Sequence, residues 1–210
     1  MNIFDADTLG AAVLLVLTAA VSLLGLFAMP DIIRLAVLRP YWLVRNSEYW
    51  RLVSSGFVHA NFSHLLFNLL TFYFFAIALE QRIGTTRFLT LYALGLLLSN
   101  LGTWYRHRNE PDYASLGASG AITAVLFAAI VYFPTSRLYI LPLPVPIPAP
   151  LFAVLYLAYS YYQSRHSAGR INHDAHIGGA ITGLAFVAIT DFAAFRQLLG
   201  VIGLFRSVPT

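Results

Sequence analysis

Six apolar runs constrain this chain more than any other feature of it. They lie at about residues 9–29, 64–80, 88–105, 119–133, 150–163 and 175–194. A bilayer core about 30 Å thick takes roughly 20 apolar helical residues to cross. Runs one, three and six come near that length; runs two, four and five are short. With 59% hydrophobic and 10% charged residues, the composition lies outside that of soluble domains. The expected fold class is an all-α integral membrane protein, one domain over residues 1–210 with six transmembrane helices and a short central fourth helix. The first run is expected to be a retained helix rather than a signal peptide. Residues 1–8 carry Asp5 and Asp7 and no basic residue, and the run exceeds a typical signal-peptide core.

The fourth run is the informative one. Pro134 closes it and the stretch S-L-G-A-S-G-A-I-T, residues 115–123, opens it. Its fifteen residues at ~1.5 Å each give about 22 Å, too little to cross alone. One end is therefore expected to stop inside the membrane, where non-helical backbone survives only if protein shields it or a wet cavity receives it. That places Ser119 at a helix N-terminus below the bilayer surface. The long loop 30–63 alternates Arg with Trp, Tyr and Leu, as an interfacial segment does. Residues 141–150 read L-P-L-P-V-P-I-P-A-P, which forbids a helix and predicts an extended or polyproline segment at the interface.

The chain has no cysteine, which excludes disulfides, thiol catalysis and thiolate metal sites. Its net charge is +4, and all 13 basic residues are Arg. That suits anionic lipid headgroups, and no basic stripe or motif points to nucleic acid.

Polar residues within membrane spans are costly and read first as functional. His64 and Asn68 open the second run on one helix face, Ser119 opens the fourth, and His176 opens the sixth. If the helices cross alternately, all four reach the same level. Gly120, Ala124 and Ala128 form a small-residue stripe on run four, and Gly179 and Gly183 form another on run six. Two such stripes let backbones approach and bring Ser119 within reach of His176. A hydroxyl becomes a nucleophile when a base takes its proton, and His serves near neutral pH. His64, the Asn68 amide and the Ser119 backbone N–H at the positive end of helix four are candidate oxyanion donors. Duller readings exist: Ser119 as a packing residue, His64 and His176 as caps, Asn68 as interhelical glue. His59, His64, His173 and His176 raise a metal or haem reading, but no H-E-x-x-H occurs. Asp174 suits capping better than a triad, and His107 and His166 read as solvated loop residues. A transporter would show repeated interrupted helices in both halves, and no such symmetry is present.

The motifs W-R at Trp50–Arg51, H-A-N-F-S-H-L-L-F-N at 59–68, E-Q-R-I-G at 80–84, G-A-S-G at 117–120 and A-H-I-G-G-A-I-T-G at 175–183 occur in order over roughly residues 48–194. Together they resemble the rhomboid family of intramembrane serine proteases, most closely its bacterial six-helix form. The resemblance implies Ser119 as nucleophile, His176 as base, and His64 and Asn68 as oxyanion residues. It further implies Gly117 as the glycine before the nucleophile, Trp50–Arg51 as a structural pair of the first loop, and Glu80 as the acidic residue closing helix two. It implies single-pass transmembrane substrates cut near a small residue, and neither cofactor nor metal. The alternative is an inactive relative that binds membrane clients. Oligomeric state is left open.

Two features depart from the family pattern. The family often carries an aromatic ring four residues after the serine, stacked on the catalytic His, and that position is Thr123. His176 must then be positioned from elsewhere. The family's cytoplasmic N-terminus implies an active site facing out of the bacterial cytoplasmic membrane. The loops on the active-site side nevertheless hold eight Arg against five on the other, which positive-inside counting reads the opposite way. Four of those eight lie in the amphipathic first loop, and the family orientation is the one expected here.

Overall fold

A computed structural model of the chain describes residues 8–140, 143–166 and 171–203. Leu141 and Pro142 of the proline run, and Arg170 and Arg206 of the arginine count, lie outside the described residues. The elements in order are α1 (Leu9–Phe27), α2 (Asp31–Ala36), α3 (Pro40–Arg45), α4 (Arg51–Ser54), a 3-10 turn (Ser55–Phe57), α5 (Phe62–Ile83), α6 (Thr85–His107), α7 (Ser119–Tyr132), β1 (Arg137–Ile140), β2 (Leu143–Pro148), α8 (Ala149–His166), α9 (His173–Thr190) and α10 (Phe192–Val201).

Every apolar run is a helix, but their lengths differ from expectation. Run two is not short: α5 has 22 residues, because it extends through Glu80 and Arg82. The Arg82 guanidinium lies 5.6 Å from the Tyr132 ring, and Gly84, with φ +81°, ends the helix. Run five becomes the 18-residue α8. Run six breaks at Asp191, whose side chain caps α10 by accepting from the Ala194 N–H at 3.2 Å; the chain bends there by 115°. By length and apolarity α1 and α5 can each cross a membrane, and α9 with α10 makes a third pass if the bent pair counts as one. Six crossings are not established on those grounds.

The fold is not purely helical. β1 and β2 pair antiparallel, with Arg137 opposite Pro148 and Leu138 opposite Ile147. Successive strand N–H groups point to opposite edges. Proline at every second position therefore strips donors from one edge only, which a two-stranded ribbon tolerates.

The first loop is built around Arg51, 4% exposed. Its Nε donates to Glu48 at 2.7 Å. Its Nη1 donates to the carbonyls of Arg34, Leu35 and Val37, satisfying the C-terminal end of α2. Arg39 reaches the same Glu48 at 2.8 Å. Burial pushes the Glu48 carboxyl up, but the hydrogen bond and charge of Arg51 and the charge of Arg39 outweigh it and hold it below its ordinary value. Trp50, by contrast, is 56% exposed, with its ring 5.8 Å from the Arg51 guanidinium.

Glu80 is fully buried. Its carboxylate accepts from the backbone N–H groups of Gly10 at 2.9 Å and Ala11 at 2.6 Å. It also accepts from the Thr85 hydroxyl at 2.7 Å. An anion at the positive end of α1 satisfies donors that the helix leaves free and joins α1 to the α5–α6 corner.

At the centre stands α7, buried at every position from Gly120 to Tyr132. Its neighbours approach through small residues. A Cβ on Gly179 would lie 2.0 Å from the Gly120 carbonyl oxygen, and one on Gly183 would lie 2.3 Å from that of Ala124. On the α6 side, a Cβ on Gly95 would lie 2.6 Å from the Ala124 methyl. The two small-residue stripes read from the sequence thus face each other, backbone against backbone.

Candidate active site

Ser119 is the first residue of α7 and is half-buried. The two facing helices are capped by side chains. Asn61 accepts from the His64 N–H at 2.8 Å on α5, and Asn172 accepts from the Ala175 N–H at 3.0 Å on α9. The N-terminus of α7 has no such cap, and its backbone ladder starts with the Ile122 N–H donating to Ala118 at 2.9 Å. The Ser119 N–H therefore lies in the uncapped first turn, at the positive end of the helix.

Gly117 is required there twice over. Its φ of +113° disfavours any side chain, and a Cβ would lie 2.8 Å from His64 Cε1. Its N–H donates to the Ser55 carbonyl at 2.9 Å, which pins the approach to Ser119 onto the first loop. The His64 imidazole thus packs against the residues leading into α7. One turn further, buried Asn68 donates from Nδ2 to the His64 carbonyl at 3.1 Å; this uses one of its two amide hydrogens. His59, outside the helices, packs edge-on against His64 with ring centroids 4.9 Å apart. Burial, with His64 adding to it, pushes its imidazole down to about 3. The Ser22 hydroxyl donates to the Phe57 carbonyl and lies 2.8 Å from His59 Nδ1, so His59 donates from Nδ1 and its role is to tie α1 to the loop.

His176 sits in the first turn of α9, half-buried. The Gly120–Gly179 contact fixes how close that turn comes to Ser119. A Cβ on Gly120 would also lie 3.3 Å from the Ala175 carbonyl. The His176 ring packs edge-on against that of His173, with centroids 5.6 Å apart. Among the described residues no hydrogen bond joins the Ser119 hydroxyl to His176. Such bonds are often long in unliganded enzymes and tighten when substrate binds.

The surrounding residues depart from expectation in two places. Asp174 does not cap α9, since Asn172 does. Asp174 instead pairs with Arg106 at 3.0 Å and His107 at 3.3 Å. His107 is no solvated loop residue: it ends α6 with its ring stacked on Tyr113, centroids 3.6 Å apart. Asn172 does more than cap, since its Nδ2 donates to Thr103 at 2.8 Å and Ser115 at 2.9 Å. It fastens α9 to α6 and to the segment leading into Ser119. An Asn just before an apolar helix is an N-cap signal that the sequence does carry. Among the described residues no group of three or more His, Asp or Glu could hold a metal ion.

The family profile described as the Rhomboid domain matches residues 46–191. The chain belongs to the rhomboid family. Among similar curated proteins is the putative rhomboid protease YdcA of Bacillus subtilis, 48% identical over 80 residues, which span 38% of this chain and 39% of that protein. The rhomboid protease GluP of the same organism is 27% identical over 160 residues, 75% of this chain and 30% of GluP. The rhomboid protease GlpG of Klebsiella pneumoniae is 28% identical over 163 residues, 71% of this chain and 51% of GlpG. The matches thus span about half or less of the length of each of these relatives. Rhomboid membership and the apolar helices together make the chain an integral membrane protein.

Within this rhomboid domain, Ser119, Gly117, His64, Asn68 and His176 gather around the N-terminal ends of α5, α7 and α9. Arg51 and Glu80 hold the scaffold at a distance. The position four residues after Ser119 is the buried Thr123, whose hydroxyl donates to the Ser119 carbonyl at 2.7 Å. Besides the His173 imidazole of its own helix, the ring beside His176 comes from α8: Tyr156, with centroids 6.0 Å apart and planes 25° from parallel. Nothing in the spacing of Tyr156 along its own helix marks it out.

Proposed function

We propose that this rhomboid-family protein is an intramembrane serine endopeptidase working through a Ser119–His176 dyad, with the helices of its six apolar runs, the short α7 among them, embedded in the bilayer. The observation that carries the proposal is the uncapped start of α7. Ser119 stands there with free backbone donors, His64 and Asn68 on one side and His176 on the helix that touches its own. In the reaction, Ser119 Oγ attacks the scissile carbonyl carbon as His176 takes the hydroxyl proton. The oxyanion is held by the Ser119 N–H, His64 and the remaining Asn68 amide hydrogen. His176 then gives its proton to the leaving amine, which leaves an acyl ester on Ser119. Water attacks the ester as His176 takes its proton, and the carboxylic product departs as that proton returns to Ser119. No cofactor takes part. The substrates are single-pass transmembrane proteins cut near a small residue, and the active site faces the extracytoplasmic side of a bacterial cytoplasmic membrane.

The test is cleavage, in detergent, of a transmembrane peptide with small residues near its membrane edge, beside Ser119→Ala and His176→Ala. Cleavage lost in both variants supports the dyad. If no protein cleaves, a serine-reactive fluorophosphonate probe decides. Labelling of wild type but not Ser119→Ala leaves a selective protease, whereas no labelling leaves an inactive relative that binds membrane clients.

A further inference from the structure

We propose that Tyr156 positions the His176 imidazole, so that the general base is set only while α8 is docked against α7 and α9. The inference rests on the reading of His176 as the base. Its evidence is a chain of contacts from α8 to the nucleophile. The Tyr156 ring stacks on His176. Its hydroxyl lies 3.3 Å from Thr123 Oγ1. The single Thr123 hydrogen is already given to the Ser119 carbonyl, so Tyr156 donates and Thr123 accepts. The resulting line runs from the Tyr156 hydroxyl through Thr123 to the backbone of Ser119. One side chain on α8 thus contacts the base by its ring and the nucleophile's helix turn by its hydroxyl.

The ring itself is held from two more sides. Phe127 of α7 lies 5.8 Å away at 57°, and Phe152 of α8 lies 5.6 Å away at 30°. Its orientation is thereby fixed for as long as α8 stays in place. The helix that carries it is the least buried of the long ones. Only Ala149 and Ser160 of α8 are buried, while Val154, Leu155 and Tyr162 are each more than half exposed. A helix with so little buried surface separates from its neighbours more readily than one buried all round, as α7 is. Movement of α8 away from α7 and α9 removes the ring from His176 and breaks the Thr123 contact in the same step. The imidazole then keeps only the edge contact of His173, which does not hold its plane in the alignment that proton transfer demands.

The experiment compares wild type with Tyr156→Leu, Tyr156→Phe and Tyr161→Leu; Tyr161 is a 57% exposed ring on the same helix. The readouts are kcat and KM on the transmembrane peptide, the rate of fluorophosphonate labelling, and the NMR shifts of the His176 imidazole. Tyr156→Leu is expected to lower kcat and labelling about 10- to 100-fold, the scale of a lost alignment, with KM little changed. Tyr156→Phe keeps the ring and is expected to restore most of the rate. Tyr161→Leu should match wild type. The His176 shifts should move in Tyr156→Leu alone, as the ring current is lost. Wild-type kcat and labelling in Tyr156→Leu overturn the proposal, as does a Tyr156→Phe enzyme as slow as Tyr156→Leu. A wild type that neither cleaves nor labels overturns the protease reading and the role with it. The imidazole shifts in that case still report whether the ring contact exists.

Discussion

The backbone of Gly179 lies so close to the carbonyl of Gly120 that a Cβ at position 179 would sit 2.0 Å from that oxygen. The obstacle is backbone inside the most buried helix of the molecule, so it cannot swing aside. Gly179→Ala is expected to push α9 away from α7 at a cost of about 1–3 kcal/mol. It should also carry His176 away from Ser119, and a displacement near 1 Å costs about 100-fold in rate. Thermal unfolding in detergent and a cleavage assay measure the two effects. Gly102→Ala in α6 is the control: a Cβ there meets nothing within 4 Å, so the substitution should stabilise by about 0.5–1 kcal/mol. Equal behaviour of the two variants would mean that α7 and α9 do not meet backbone against backbone at Gly120 and Gly179.

Glu80 gives a second test, at the far end of α5 from the candidate site. Three donors converge on its carboxylate. Glu80→Gln keeps the shape but places an amide among donors and removes the charge at the start of α1. Hydrogen bonds to a charged group contribute about 1.5–3 kcal/mol each, so a loss of at least the lower figure is expected. The melting temperature should fall, and protease nicking near the N-terminus of α1 should rise. An unchanged melting temperature would mean that α1 is held by apolar packing alone.

These two positions also show how far the sequence could be read. The glycine and alanine stripes on α7 and α9 are legible because four-residue spacing maps directly onto a helix face, and their contact follows. The placement of Ser119 at a helix start follows from Gly117, Gly120 and the shortness of the run. Glu80 is legible only as an acidic residue ending a helix, because its backbone donors lie 69 and 70 residues away. Tyr156 is invisible for the same reason. The missing ring at Thr123 announces a gap, but what fills it depends on how α8 lies across α7. The hairpin was obscured by proline, whose missing donors argue against a ladder unless they all fall on one open edge.

Glu48 carries a pH dependence of stability. Its carboxyl is held below its ordinary value of 4.5. Its pairs with Arg51 and Arg39 therefore contribute fully above that value and are lost as the pH falls through the lower, folded one. Glu48→Gln is expected to be less stable than wild type at pH 7 by about 1–3 kcal/mol, the cost of leaving a buried charged partner unsatisfied. The gap should close in the acid range below 4.5, where wild type loses the same charge. A gap that stays constant from neutral to acid pH would remove the charge from the explanation and leave only packing.

Asn68 separates transition-state stabilisation from folding. Its one described hydrogen bond goes to a carbonyl of its own helix, that of His64. Among the described residues replacing it breaks no hydrogen bond between elements, and Asn68→Ala should fold with a melting temperature near that of wild type. If its second amide hydrogen meets the oxyanion, kcat should fall about 100-fold, the scale for loss of one such donor. KM should change little, because the ground-state carbonyl makes less use of that bond than the oxyanion does. His64→Ala should behave alike if both residues serve the same oxygen, and the double variant should lose less than the product of the single losses. Unchanged kcat in Asn68→Ala would take Asn68 out of the hole and leave the Ser119 N–H and His64 to hold the charge.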